Sequence, residues 1–407
     1  MGQANRPRLL ILFLPQEWKN YHRRPHWEAM AKQAQLLIIE PPAGILTAIL
    51  QPRRLLKYFK SDKKLRQQSG SGVATFRPIQ LGSPGIDFIL PFLSGLDRLL
   101  MRRQLKKVVE QLHADLSNTV TFIVHVYQHH FSRLFPNAPQ CYEITDLYVI
   151  PYGHDELNEN HWYTKRARRY ERKIIKDSDI VITSSRLIFE NLRSAHSHVH
   201  YLHNSADYAH FSKSENTELE IPAEIKGLAK PVLGFIGYLN HLIDFELLAM
   251  LSNEFTSGSI VIIGSEQKIN RVTNDSWYQI TRQTKNIHYL GFKDYETLPA
   301  YLKGFDVCLL PFRSNEWMRY SAPNKTFQYL ATGKPVVSTD FPEMRAFKNV
   351  VHVADNHNRF INMVREAINE NSEAKRAERK KIALENSTDT RAVKVMSLLN
   401  GTLKERS

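Results

Sequence analysis

Short apolar runs alternate along this chain with longer stretches of helical periodicity, and that alternation narrows the possible folds more than any other feature. Leu9–Leu14, Val120–Val126, Asp179–Thr183, Val232–Ile236, Ser259–Ile263 and Asp306–Leu310 are near-continuous apolar segments of strand length. Such runs suit strands buried on both faces, as in parallel sheets covered by helices. Further strands are expected at Leu36–Ile39, Val73–Arg77, Cys141–Thr145, Val199–Leu202, Ile287–Leu290, Pro335–Ser338 and Val350–Val353. Helical patterns fall between them, at about 26–35, 96–113, 161–177, 186–195, 244–255, 295–304, 324–332 and 359–370. The chain is therefore α/β.

At 407 residues it exceeds the usual size of one core, so two domains are expected. The periodicity lapses around 203–230 into Asn, Ser, Glu and Pro, which marks a linker. We place one Rossmann-like domain at 1–205, a second at 206–385, and a final helical segment at 386–407 that could pack back on the first. In open α/β sheets ligands bind beyond the carboxyl ends of the strands, so two facing domains put their substrates in the cleft between them.

Hydrophobic residues make up 42% and charged residues 24%, ordinary for a globular protein. The formal charge of +14 is not ordinary and asks for an anionic partner. Nucleic acid is disfavoured, because no recognised binding motif accompanies the charge. Cys141 and Cys308, the two cysteines, lie in apolar runs and read as buried thiols. No run approaches the ~20 apolar residues that span a bilayer, and Leu9–Leu14 is too short for a secretory leader. The expected place is the cytoplasm, as a peripheral protein on the inner face of the membrane if it meets one. Two mixed basic and apolar runs, at 51–66 and at 88–107, suit anionic lipid headgroups, or equally an exposed helix face over core leucines.

The segment 321–338 carries the strongest chemistry. Ser321 suits an N-cap, Pro323 a first turn and Gly333 a left-handed C-cap, after which Pro335-Val-Val-Ser338 opens a strand. Lys325 and Gln328 share one face of the intervening helix. A helix N-terminus with a lysine is a phosphate site that needs no metal. Gly237 follows a strand and precedes a helix, where a glycine lets backbone approach a phosphate; alone it serves as well for a tight turn.

Three pieces of the second half, in order, resemble the GT-B nucleotide-sugar glycosyltransferases. They are Pro231 to Gly237, Asn286 to Gly291 with Asp306 to Phe312, and Ser321 to Val337 with its Lys325-x-x-Gln328. Asp179 to Ser184 and Tyr201 to Phe211 add to the likeness. The resemblance implies a GT-B architecture, a nucleoside diphosphate sugar as co-substrate, no other cofactor, and a glycan or lipid-linked acceptor in bacterial-type surface polysaccharide synthesis. It places Lys325 and Gln328 at the donor's nucleotide, and we expect Gly237, Phe312, Pro323 and Asn324 around the donor with them. Many relatives carry glutamate where Gln328 stands, and some a second glutamate where this chain has Tyr320. Lys-x-x-Gln is similar to the bacterial exopolysaccharide glucuronosyltransferase branch.

Asp146 ends the Cys141–Thr145 run and would face the cleft. In that branch an aspartate in a similar place is the base for the acceptor hydroxyl; an Asp there also suits a cap or turn. Arg23 and Arg24, in the loop after the first strand, suit a phosphate-bearing acceptor or a solvated basic loop. His130 is kept as an acceptor-side residue from the group His125, His129 and His130, which lacks zinc-site partners. Asp177 and Asp179 sit at a helix-to-strand junction and read as structural, so no metal is expected. The rival functions are a GT-B sugar-nucleotide epimerase and a non-catalytic basic protein that binds membrane or nucleic acid.

Overall fold

The structure, a computed structural model, describes residues 9–45, 65–67, 70–82, 92–151, 154, 156–266 and 272–406. Most of the basic run at 51–66, and residues 88–91 of the second run, lie outside these.

The first domain is built on an eight-stranded sheet. Its strands are β1 (Leu9–Phe13), β2 (Gln35–Ile39), β4 (Arg66–Gln67), β5 (Val73–Phe76), β7 (Thr119–Ile123), β8 (Gln140–Ile144), β9 (Ile180–Thr183) and β10 (Val199–Tyr201). β3 (Ala43–Gly44) and β6 (Ile79–Gln80) pair separately beside it. The order is β10-β9-β8-β7-β1-β2-β5-β4, parallel except for β4 against β5. Alternation along β1 shows why both faces are covered. Leu9, Ile11 and Phe13 enter one core, with Met101, Leu105, Ile174 and Ile188 from helices. Leu10 and Leu12 enter the other, with Trp27 and with Ala392, Val395 and Leu399 of the helix Thr388–Arg406. A strand's side chains point to opposite faces in turn, so an unbroken apolar run needs a helical layer on each side. One of these layers is supplied in part by the far end of the chain.

The second domain has six parallel strands. They are β11 (Val232–Ile236), β12 (Ser259–Ile263), β13 (Ile287–Gly291), β14 (Val307–Leu310), β15 (Val336–Thr339) and β16 (His352–Ala354), in the order β13-β12-β11-β14-β15-β16. A single core runs from Ala206 to Ala383. Burying each large aliphatic side chain there contributes about 1.5–3 kcal/mol.

The chain crosses between domains twice, side by side. Ala206 bridges to Ser387, and the Thr388 amide donates to the Ala206 carbonyl at 3.0 Å. In each sheet strand order reverses about its first strand: β1 lies between β2 and β7, and β11 between β12 and β14. The crevices at these reversals are where such sheets take ligands. They are lined by the segments after β1 and β7 in one domain, and after β11 and β14 in the other. Several bonds among the described residues tie the domains near the cleft, and one of them runs from the Arg186 amide to Glu343. The Leu157 amide donates to Glu316 at 2.9 Å, the Tyr201 hydroxyl to Glu343 at 2.7 Å, and the Asn204 side chain to the Ala322 carbonyl at 2.5 Å.

Candidate active site

The second domain's share of the site is made by packing. β11 ends at Gly237, and a side-chain carbon placed on that residue would stand 2.3 Å from Lys325 Cε and 3.0 Å from its Nζ. The lysine therefore lies flush along bare backbone. Gly264, at the end of the neighbouring β12, has φ +149, and a side chain there would strike the Gly237 carbonyl. What holds Lys325 in place is the next turn of its helix. Tyr329 is fully buried, and its hydroxyl accepts from the Ile236 amide at 2.8 Å, pinning the helix Lys325–Leu330 to the end of β11. Gly333 closes that helix with φ +71, as its position after the apolar turn requires.

The cap differs from expectation. Ser321 is buried and donates to the Trp317 carbonyl at 3.2 Å, so it caps nothing; Asn324 occupies the N-cap position without a side-chain cap bond. The helix is six residues long, too short to supply much dipole. The positive charge at this end is therefore chiefly the lysine's. Lys325 makes no hydrogen bond or ion pair among the described residues. Burial pushes its pKa down to about 8, while Asp146 opposes the fall. Gln328 is half-buried and likewise unpartnered among the described residues.

Asp146 follows β8 in the first domain. Burial raises its pKa to about 6, and Arg23, Thr145 and Lys325 limit the rise. Its carboxylate caps no helix; it accepts one long bond, from the Thr145 hydroxyl at 3.4 Å. Asp146 and Lys325 thus sense each other's charge across the cleft without forming an ion pair. An acid poised near neutrality, within electrostatic reach of an ammonium that no carboxylate pairs, suits an anionic ligand.

Beneath Asp146 the first domain is held by buried charge. Glu143 Oε1 takes Arg23 at 2.6 Å and Arg391, from the C-terminal helix, at 2.8 Å. Arg391 also donates to the linker carbonyl of His203 at 2.8 Å and to His26 Nε2 at 2.9 Å. Burial disfavours the Glu143 carboxylate, but the two guanidinium groups override it and hold its pKa well below the usual range. A buried charge is tolerable only when paired in this way.

Several expectations are corrected here. Arg23 is 7% exposed and committed to Glu143, so it cannot receive a phosphate-bearing acceptor; it acts on Asp146 through its charge. Arg24 opens the helix Arg24–Ala31 and pairs with Glu28 at 2.6 Å along that helix. His130 is buried against Phe131, with rings 3.9 Å apart, and is kept neutral by burial and by nearby His129 and Arg98, so it is no acceptor-side group. Phe312 is buried between Phe235 and Phe341 and supports the cleft from within the core. Tyr320 packs on the first domain's core. Asp179 is taken by Arg133 at 2.9 Å and by the Gln140 amide at 2.8 Å. Gly237 and Lys325 do come together, with Pro323, Asn324 and Gln328 beside Lys325 in the chain and Asp146 within electrostatic reach of it.

Two histidines join the cleft side of the first domain. His22 is exposed, yet the surrounding protein, Arg23 and Lys325 lower its pKa to about 4. His125, at the end of β7, sits between the rings of Tyr127 and Tyr148, with centroids 4.5 and 4.4 Å away. Its Nδ1 accepts the Tyr127 amide at 3.2 Å, which leaves Nε2 as the donor. Gly264 was legible as a second strand ending in glycine, Val-Ile-Ile-Gly264 after Phe-Ile-Gly237. Arg391 gave no signal, since it lies in a helix far along the chain.

Residues 230–370 match the family model described as glycosyl transferases group 1. The whole chain superposes on sucrose-phosphate synthase from Thermosynechococcus elongatus with a TM-score of 0.70 at 12% identity, covering 98% of this chain and 100% of that one. It superposes on Anabaena HepE, solved in complex with UDP, with a TM-score of 0.62 at 13% identity, covering 96% and 99%. The fold is GT-B. The match to that family model lies within the second domain. In sequence the chain is also similar to Bacillus subtilis (strain 168) TuaH, described as a teichuronic acid biosynthesis glycosyltransferase, at 24% identity over 215 residues. The match spans about half of each chain, 52% of this one and 53% of TuaH.

Proposed function

We propose that the protein is a glycosyltransferase that moves a sugar from a nucleoside diphosphate donor to a glycan or lipid-linked acceptor in bacterial-type surface polysaccharide synthesis. The observation that carries this proposal is Lys325, a desolvated and unpaired ammonium laid along the bare backbone of Gly237. Lys325 is half-buried, and a partly desolvated charge without a counterion carries a cost that an incoming diphosphate removes. The donor's nucleotide lies against Gly237, Pro323, Asn324 and Gln328. The UDP held by HepE and the polysaccharide role given to TuaH support the donor class and the product class.

In the reaction the acceptor oxygen attacks the anomeric carbon while the bond from that carbon to the diphosphate breaks. The diphosphate leaves with the bonding pair, and Lys325 takes up its developing charge in place of a metal. Asp146 accepts the acceptor's hydroxyl proton, as its raised pKa suits a base near neutrality. Gln328 in place of glutamate favours the inverting, glucuronosyltransferase-like course. Under a retaining course Asp146 would orient the acceptor instead.

Thermal melts against UDP-, GDP- and dTDP-sugars test the donor site. One nucleotide class should raise the transition; a ligand at a hundred times its Kd stabilises by about 2.7 kcal/mol. If no nucleotide shifts the melt, the donor assignment is wrong. An enzyme that interconverts the donor sugar without any acceptor would instead be the epimerase.

A further inference from the structure

The excess charge of this protein is unevenly placed. Residues 1–205 hold 29 Lys and Arg against 17 Asp and Glu, a surplus of 12, whereas residues 206–407 hold 26 against 24. The site described above uses little of that surplus. Arg23 is buried against Glu143, Arg77 is shared by Glu17 and Glu40, and Arg133 is held by Asp179.

Much of the remainder stands on two helices, Leu93–Gln111 and Trp162–Asp177. They cover the same face of the first sheet, where Met101, Leu105 and Val108 of one share a core with Ile174 and Ile175 of the other. Both also pack on the turn Val126–Phe131. Ser132, just after that turn, joins them: its carbonyl accepts from Arg98 and its hydroxyl donates to Asp177 at 2.8 Å. The first helix turns Arg102, Arg103, Lys106 and Lys107 outward. The second turns out Lys165, Arg169, Arg172 and Lys176, spaced three or four apart as one helical stripe.

All eight are exposed, and none has a carboxylate partner among the described residues. The second domain treats its helix cations differently. On the helix Glu373–Glu385, Lys375 and Arg379 pair with Glu370, while Arg376 and Lys380 pair with Glu215. A field of like charges with no internal counterions repels itself and attracts an external anion.

Phe92, Leu96 and Leu99 continue the outer stripe of the first helix toward its start, at spacings of four and three, and are 73%, 58% and 50% exposed. We infer that these two helices form a docking face for an anionic lipid bilayer. The three apolar side chains enter the headgroup–acyl boundary, and the two basic rows meet lipid phosphates. A soluble polyanion would satisfy the cations equally well, but it would leave Phe92, Leu96 and Leu99 in water. Together with the lipid-linked acceptor proposed above, the face would hold the protein at the surface where such acceptors reside. The face and the donor site share no residue, so either can fail alone.

Flotation of the full chain with vesicles tests this. The protein should float with phosphatidylcholine vesicles containing phosphatidylglycerol at low salt, stay behind with phosphatidylcholine alone, and be released as salt rises. Replacing Arg102, Arg103, Lys106 and Lys107 together by Gln should abolish flotation. Replacing Phe92, Leu96 and Leu99 together by Ser should lower the floated fraction several-fold, with nucleotide-induced thermal stabilisation unchanged. Three results would overturn the inference: no flotation with phosphatidylglycerol at low salt, equal flotation with both vesicle types, or an unaffected Ser variant whose binding a soluble polyanion abolishes. If a variant loses its thermal transition, the wild-type comparison of the two vesicle types with and without salt still decides.

Discussion

The two domains use similar sheets yet hold their halves of the cleft by different physics. In the second domain the site rests on close packing. Glycines end β11 and β12, Tyr329 clamps a short helix to β11, and one lysine lies over the gap. In the first domain the site rests on buried charge. Glu143 gathers Arg23 and Arg391 under the strand end that carries Asp146. Packing fixes position with little electrostatic cost, whereas a buried ionic hub fixes position and also sets the potential around its neighbours. A chain that must place an anion-binding lysine in one half and a titrating carboxylate in the other gains from both devices.

Breaking the ionic hub should have the largest effect on stability. Glu143→Gln strands two buried guanidinium groups, and we expect a loss of about 3–5 kcal/mol in urea unfolding. A loss below 1 kcal/mol would mean that packing, not charge, holds the first domain's strand end. Asp146→Asn touches the reaction and not the frame. It should lower kcat by roughly 10²–10⁴ while leaving nucleotide binding and melting temperature near wild type.

Gly237→Ala probes the packed half. The new methyl meets the flexible end of Lys325 and, at 2.9 Å, the ring of the buried Phe235, so the lysine is displaced and the core must give slightly as well. Donor affinity should fall by about tenfold, with a stability loss of about 1–3 kcal/mol from the overpacking at Phe235. Unchanged affinity would show that Lys325 need not lie along that backbone.

A pH profile of kcat/KM reads both halves at once. Asp146 must be ionised to act as base, so the rate should climb with pH through about 6. Lys325 must be protonated to hold the diphosphate, so the rate should fall above about 8. Asp146→Asn should remove the acid limb and, by taking away the charge that holds the Lys325 pKa up, shift the alkaline limb to lower pH.

The same contrast explains what the sequence disclosed. The donor half was legible because its parts are local: Lys325 and Gln328 share a helix, Gly333 ends it, and Gly237 ends a strand whose apolar run is unmistakable. Strand positions were legible for the same reason, since a strand buried on both faces must be apolar throughout. β7 stops short of its expected end because His125, whose ring nitrogen accepts the Tyr127 amide, starts a turn within an apolar run. The acceptor half was obscure because it is assembled from distant residues. Arg23 and Glu143 are 120 positions apart, and Arg391 comes from the last helix. Arg23 therefore looked like a solvent-facing ligand when it is a buried counterion. Ser321 looked like a cap because its spacing from the helix was close to right, but its hydroxyl is spent on Trp317.

The central claim is that Lys325 is the counter-charge for a nucleoside diphosphate, and calorimetric titration of the preferred nucleotide tests it most directly. Wild type and Asp146→Asn should bind with similar affinity, while Lys325→Ala should bind at least tenfold more weakly and keep its fold by thermal melt. A correctly folded Lys325→Ala protein that binds the nucleotide as tightly as wild type would contradict the account.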